Sequence, residues 1–175
     1  MERLTRGRIV AALRALASEI KGPGTPVELI VVGGAALVLL YDARDTTKDV
    51  DAFSGDAATA AQLREAAGRV ADRFGLPNDW LNDAARGYAH GLSRGPVLLE
   101  TPSLVVRTLT PGQLLAMKLC AWRDDVDVSD ARLLLSKMPG DRDAVWLAVA
   151  PHLLPGRELK ASYAFADLWE ADRGA

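Results

Sequence analysis

The sequence predicts an α+β protein: a small mixed β-sheet with flanking helices and a helical C-terminal part. Three observations predict it. Val27 to Val32 is a nearly continuous, β-branched apolar run, the pattern of a buried central strand. Further strand-like runs follow at Lys48–Phe53, Val97–Glu100 and Leu104–Leu109, all in the first two-thirds of the chain. From Thr110-Pro111 onward the apolar spacing is helical throughout. These patterns divide the 175 residues into an α/β core over 1–110, carrying an N-terminal helix, and a helical region over 111–175, together sized for one compact domain.

The elements follow in order. Leu4, Ile9, Val10, Leu13, Leu16 and Ile20 lie at helical spacing with arginines between them, an amphipathic helix over 3–20. Gly22-Pro23-Gly24-Thr25-Pro26 ends it. After the central strand, Gly33-Gly34 turns the chain into a short apolar helix, Ala35–Tyr41. Arg44 to Lys48 is a polar loop before the second strand. Leu63, Ala67, Val70 and Phe74 are spaced for a helix over Ala57–Phe74. Gly75 to Asn82 is turn-rich, with Trp80 as its anchor on the core. Thr101-Pro102-Ser103 joins the last two strands as a turn. Thr110 is the expected N-cap and Pro111 the first-turn residue of a helix that is apolar on nearly every side, hence buried. Helices starting at Ser129 and spanning Arg142–Val149 and Glu158–Glu170 complete the chain.

Composition excludes several classes. Apolar residues make up 49% and charged residues 25%, ordinary for a globular chain rather than a disordered one. The formal charge of −2 gives no overall basic field. The basic stretch of Arg3, Arg6, Arg8, Arg14 and Lys21 reads as a solvated helix face. The single cysteine, Cys120, excludes an intrachain disulfide and sits in an apolar helical pattern as a small hydrophobe. No run reaches the ~18 apolar residues of a membrane span, and the charged N-terminus lacks the apolar core of a signal peptide. The expected setting is reduced and cytoplasmic. His90 and His152 are isolated and support neither a zinc site nor a catalytic triad.

The chemistry concentrates at Asp49-Val50-Asp51. Carboxylates at i and i+2 of an extended segment share a face, with Val50 turned into the core. Two ionised carboxylates held close repel one another unless a cation lies between them or one takes up a proton. Such an oxygen pair suits Mg²⁺, which takes one or two protein carboxylates and completes its shell with water and substrate phosphates. Gly33-Gly34, between a buried strand and a helix, exposes backbone N–H groups at a helix N-terminus, a natural phosphate seat. Lys118 lies within a Leu-, Met- and Cys-rich helix, where a lysine either snorkels out or pairs with an anion. Arg44 and Lys48 add loop cations. Asp124, Asp125, Asp127 and Asp130 form an acidic run whose plainest role is a solvated helix start.

Two blocks carry a family resemblance. Val32-Gly33-Gly34-Ala35-Ala36 through Thr47-Lys48-Asp49-Val50-Asp51 resembles the signature of the polymerase-β-type nucleotidyltransferase superfamily. Leu114 to Leu119 with Lys118, then Arg123 and Asp127-x-x-Asp130, is similar to the second block of its AbiEii-like branch, which includes toxin nucleotidyltransferases of toxin–antitoxin pairs. The two blocks span roughly residues 27–137.

The resemblance implies transfer of a nucleoside monophosphate from an NTP to a hydroxyl acceptor. It implies Mg²⁺ or Mn²⁺ on Asp49 and Asp51, Gly33 and Gly34 at the triphosphate, and Lys118 at phosphate. It makes Asp127 a further acidic residue near the site, and the loop cations Arg44 and Lys48 could, by their charge alone, serve phosphate as Lys118 does. It also implies the tRNA 3′ end as acceptor and a cognate antitoxin as partner. The sequence departs from the pattern in three ways: Gly34 stands where many relatives carry serine, the interval from Gly34 to Asp49 is long, and the third strand carboxylate has no clear match. Asp127 and Glu100 are the two candidates for that last role. Its absence would make the chain a catalytically silent nucleotidyltransferase-fold binding or regulatory partner.

Overall fold

A computed structural model describes residues 3–20, 24–41 and 45–173. The chain divides into two compact units, one formed by 1–86 and 96–108 and the other by 87–95 and 109–175.

The first unit holds the sheet. Its strands include β1 (Leu4–Thr5), β2 (Val27–Val31), β3 (Thr46–Thr47) and β4 (Val50–Phe53), followed by β5 (Leu81–Asn82), β6 (Val97–Glu100) and β7 (Leu104–Thr108). Five of them form one mixed sheet in the order β5-β4-β2-β7-β6. The apolar run thus supplies the middle strand, parallel to β7 and antiparallel to β4. Leu29 through Val32 are buried on both faces, as a central strand requires. The α+β class is observed.

Three helices accompany this sheet: α1 (Arg6–Glu19), α2 (Gly33–Tyr41) and α3 (Ala57–Phe74). α3 runs over the expected residues. Asp56 caps it by accepting a 2.8 Å hydrogen bond from the Thr59 N–H, and Gly75 closes it in the left-handed conformation at φ +61°. α1 starts later than the apolar spacing suggests. Leu4 and Thr5 leave the helix to pair with Thr47 and Thr46, an antiparallel two-stranded ribbon. Two-residue strands have no periodicity to read, so the helical pattern ran through them. Arg3 adds a 2.8 Å bond from Nε to the Thr46 hydroxyl, and Arg6 donates to the Val38 and Leu39 carbonyls at the end of α2.

The expected second strand is also shorter. Lys48 and Asp49 form a bend, and the ladder begins at Val50. Trp80 anchors the turn-rich passage as expected. Its ring is buried at 1% exposure, and its indole N–H donates to the Ala67 carbonyl at 3.0 Å. That passage also contains β5, hydrogen-bonded alongside β4.

The second unit is helical: α4 (Pro111–Ala121), α5 (Asp125–Ser136), α6 (Arg142–Val149) and α7 (Glu158–Arg173). Thr110 caps α4, with Pro111 in its first turn. α4 is buried on nearly all sides, and Gly112 is required there because a Cβ would stand 2.5 Å from the Ala148 carbonyl oxygen of α6. α5 begins four residues before the expected Ser129, because Asp124 caps it through a 3.0 Å bond from the Asp127 N–H. No described helix is long and apolar enough to cross a membrane.

Candidate active site

β2 delivers the chain into α2 through Gly33, whose φ is +62°, a conformation that only glycine adopts without strain. The adjoining Val32 N–H donates to the Asp51 carbonyl at 2.9 Å, which ties the turn to β4. The Asp51 side chain completes the contact: a Cβ on Gly33 would lie 3.0 Å from Asp51 Oδ2. A carboxylate is therefore set against the first turn of α2, where N–H groups have no intrahelical partner.

Asp49 and Asp51 are both half-buried, while Val50 between them is fully buried. Val50 is fixed in turn by a 2.7 Å bond from its N–H to the Trp80 carbonyl. Asp51 lies on the strand and Asp49 in the bend before it, so the expected shared face of one extended segment is replaced by a carboxylate on each side of the strand start. Lys48 is exposed on the bend just before the pair. Arg44 lies outside the described residues.

The strand neighbour of Asp51 is Asn82, not an acid. The Asn82 amide is committed locally, with Nδ2 donating to the Asp79 carbonyl and Oδ1 accepting from the Ala84 N–H. Glu100 is exposed on β6, the far edge of the sheet. Three strand spacings separate β6 from β4, about 14 Å at ~4.8 Å each. Glu100 is thus not part of the Gly33–Asp51 cluster.

The second unit contains its own charged cluster. Lys118 does not snorkel. Its Nζ lies 2.9 Å from Asp127 Oδ1 and 2.8 Å from Asp130 Oδ2, and both carboxylates are almost wholly buried. The other Asp127 oxygen, Oδ2, accepts from Arg123 twice, from Nε at 3.1 Å and from the backbone N–H at 3.1 Å. Burial alone would raise the Asp127 pKa, but the hydrogen bonds from Arg123 and Lys118 outweigh it and hold the carboxyl below its ordinary value. The same pairing raises the Arg123 pKa. The Arg123 guanidinium also lies 5.8 Å from the Tyr88 ring centroid.

The structure therefore brings together Gly33 with Asp51 and Lys118 with Asp127. Asp130, as a second partner of Lys118, escaped the sequence reading. Its signal was present, since Asp127 and Asp130 are three residues apart on one helix and so share a face.

A divalent cation was tested against these residues. Asp49 and Asp51 supply two carboxylates, and among the described residues no group of three or more acidic, histidine or cysteine side chains could hold a metal. Two half-buried carboxylates, one of them set against the first turn of α2, fit a cation whose remaining positions are filled by substrate phosphates and water. They do not fit a closed structural metal site.

Residues 10–136 match the model of a family described as "Nucleotidyltransferase of unknown function (DUF6036)". The chain belongs to this family. The match covers the Gly33–Asp51 contact and the Lys118–Asp127 pair alike. Comparison with curated proteins and with solved structures gives no match.

Proposed function

We propose that this nucleotidyltransferase moves a nucleoside monophosphate from an NTP to a hydroxyl acceptor and releases pyrophosphate. The contact between Gly33 and Asp51 carries the proposal, because it sets a carboxylate suited to a cation against a helix N-terminus suited to phosphate. Asp49 and Asp51 would hold Mg²⁺ or Mn²⁺ together with the triphosphate. When bound, the cation supplies positive charge to the reacting phosphate and acidifies the acceptor hydroxyl.

The protein's own part is positioning and charge. The first-turn N–H groups of α2, including those of Gly33 and Gly34, hold the phosphates in line. Lys118, as the resemblance implies, and the loop cations Lys48 and Arg44 would neutralise charge on the triphosphate. Asp127 acts through Lys118, since both its oxygens are bonded to cationic residues. The acceptor oxygen forms a bond to the α-phosphorus as the bond to the bridging oxygen breaks. The hydroxyl proton goes to solvent, and pyrophosphate leaves with the electron pair. The AbiEii-like resemblance directs the acceptor to the tRNA 3′ end and the biological role to a toxin with a cognate antitoxin, while the single cysteine suits a reduced cytoplasmic setting.

A second reading, a catalytically silent nucleotidyltransferase-fold regulator, is favoured by one observation: the residue in register with Asp51 is Asn82, so no third carboxylate stands there. Incubation with each α-labelled NTP, Mg²⁺ and total cellular RNA separates the two. Transfer of label supports the enzyme. NTP binding without transfer to RNA, protein or small-molecule acceptors supports the regulator.

A further inference from the structure

We infer that the first unit contains a second ligand site, a pocket for a small zwitterion with an apolar body, of which a free aromatic or branched α-amino acid is the simplest. The pocket is a cavity of about 290 Å³, at the lower end of the ~300–1,000 Å³ typical of small-molecule sites. Its floor is apolar: Leu29 and Ala52 from the sheet, Leu63 and Ala67 from α3, and Leu81 from β5. Ala52, Ala60 and Ala67 all line it, and their short side chains leave the space open.

The cavity is distinct from the Gly33–Asp51 contact. Successive strand residues alternate, so the floor residue Ala52 points to the opposite face of the sheet from Asp51, while Asn82, in register with Asp51, borders the cavity at its rim. A ligand there touches the strand that carries Asp51 from behind.

The rim defines the ligand chemistry, because it presents both signs of charge. Arg64 stands on α3 in the same helical stripe as Ala60, Leu63 and Ala67, so its stem runs along the cavity wall. Arg86 comes from the other side. It is held by a 3.0 Å bond to the Ser54 carbonyl and lies 5.7 Å from the Phe53 ring centroid. Asp79 and Asp83 add two exposed carboxylates. The side chains of Arg64, Asp79 and Asp83 make no hydrogen bond or ion pair with a described residue. Two guanidiniums suit a carboxylate, two carboxylates suit an ammonium, and the apolar floor suits the body between them.

Isothermal titration calorimetry of the full chain with L-phenylalanine, L-tryptophan and L-leucine tests this inference. Saturable binding is expected for at least one. For the phenylalanine scaffold, N-acetyl-L-phenylalanine lacks the ammonium and phenethylamine lacks the carboxylate, and each should bind about tenfold more weakly. Ala60→Leu fills the cavity and should weaken binding by about tenfold or more, with Arg64→Gln as the surface variant that leaves packing intact and weakens it about fivefold. The Trp80 indole N–H resonance should shift on binding, because its acceptor, Ala67, lines the pocket. Asp51→Ala should bind the amino acid as the wild type does, which keeps this outcome separate from nucleotidyl transfer. The inference is overturned if none of the three amino acids binds, or if Ala60→Leu and Arg64→Gln both leave the affinity unchanged.

Discussion

Asp51 Oδ2 stands against Gly33: an added Cβ would be 3.0 Å from it, tighter than an ordinary contact. Gly33 is thus favoured twice, by its φ of +62° and by the carboxylate beside it. A left-handed non-glycine residue costs about 1–2 kcal/mol. Gly33→Ala should lose about that much stability and at least ~100-fold in nucleotidyl transfer, the scale of a lost electrostatic contact. Gly75→Ala is the control. It has φ +61° with nothing within 4 Å of its Cβ, so a similar stability loss should leave transfer unchanged. Thermal unfolding measured beside activity separates the two effects.

The half-buried acids should bind a cation as a pair. Asp49→Asn and Asp51→Asn should each weaken Mn²⁺ binding in the presence of NTP by about tenfold or more, read by water-proton relaxation. The fold should hold in both variants, since neither side chain is in the core.

Asp127 accepts from both Lys118 and Arg123, so its amide variant loses these charge-assisted bonds at a buried position, although Lys118 keeps Asp130. Asp127→Asn should destabilise the protein by about 3 kcal/mol at pH 7, the lower end for a broken buried pair. The sign of its pH dependence follows from the depressed folded-state pKa. The stabilisation is fully present above the unfolded carboxyl value of ~3.9 and is lost as pH falls through the lower folded value. Urea unfolding of wild type and variant should therefore converge as pH falls through that lowered value.

Trp80 makes one buried polar contact that phenylalanine lacks, the 3.0 Å bond to the Ala67 carbonyl. Trp80→Phe should cost about 1–3 kcal/mol from the unsatisfied acceptor, measured by denaturant midpoint. Lost volume adds to this, and β5 pairing beside β4 should loosen, visible as faster amide exchange at Val50.

Long periodic segments were legible in the sequence. The central strand, α3, α6 and the strands at Val97–Glu100 and Leu104–Thr108 appear where apolar spacing places them. The pairing of Leu4 and Thr5 with Thr47 and Thr46 was not legible, because a two-residue strand is defined only by its distant partner. The early start of α5 at Asp125 was hidden for a different reason. Its cap, Asp124, sits in an acidic run that resembles solvated surface until Asp127 and Asp130 are seen buried against Lys118. At the site, Gly33 and Asp51, singled out by their order in the sequence, meet in the structure. The strand order that leaves Glu100 at the far edge required the three-dimensional sheet.

Pyrophosphate release is the most direct measure of the central claim. Wild type and Asp51→Ala should be assayed in parallel with each NTP, Mg²⁺ and total tRNA. Nucleotidyl transfer at the Gly33–Asp51 contact predicts acceptor-dependent pyrophosphate release by wild type and its loss in Asp51→Ala. Equal release from both proteins, or none from wild type across all four NTPs and every acceptor pool, would contradict it.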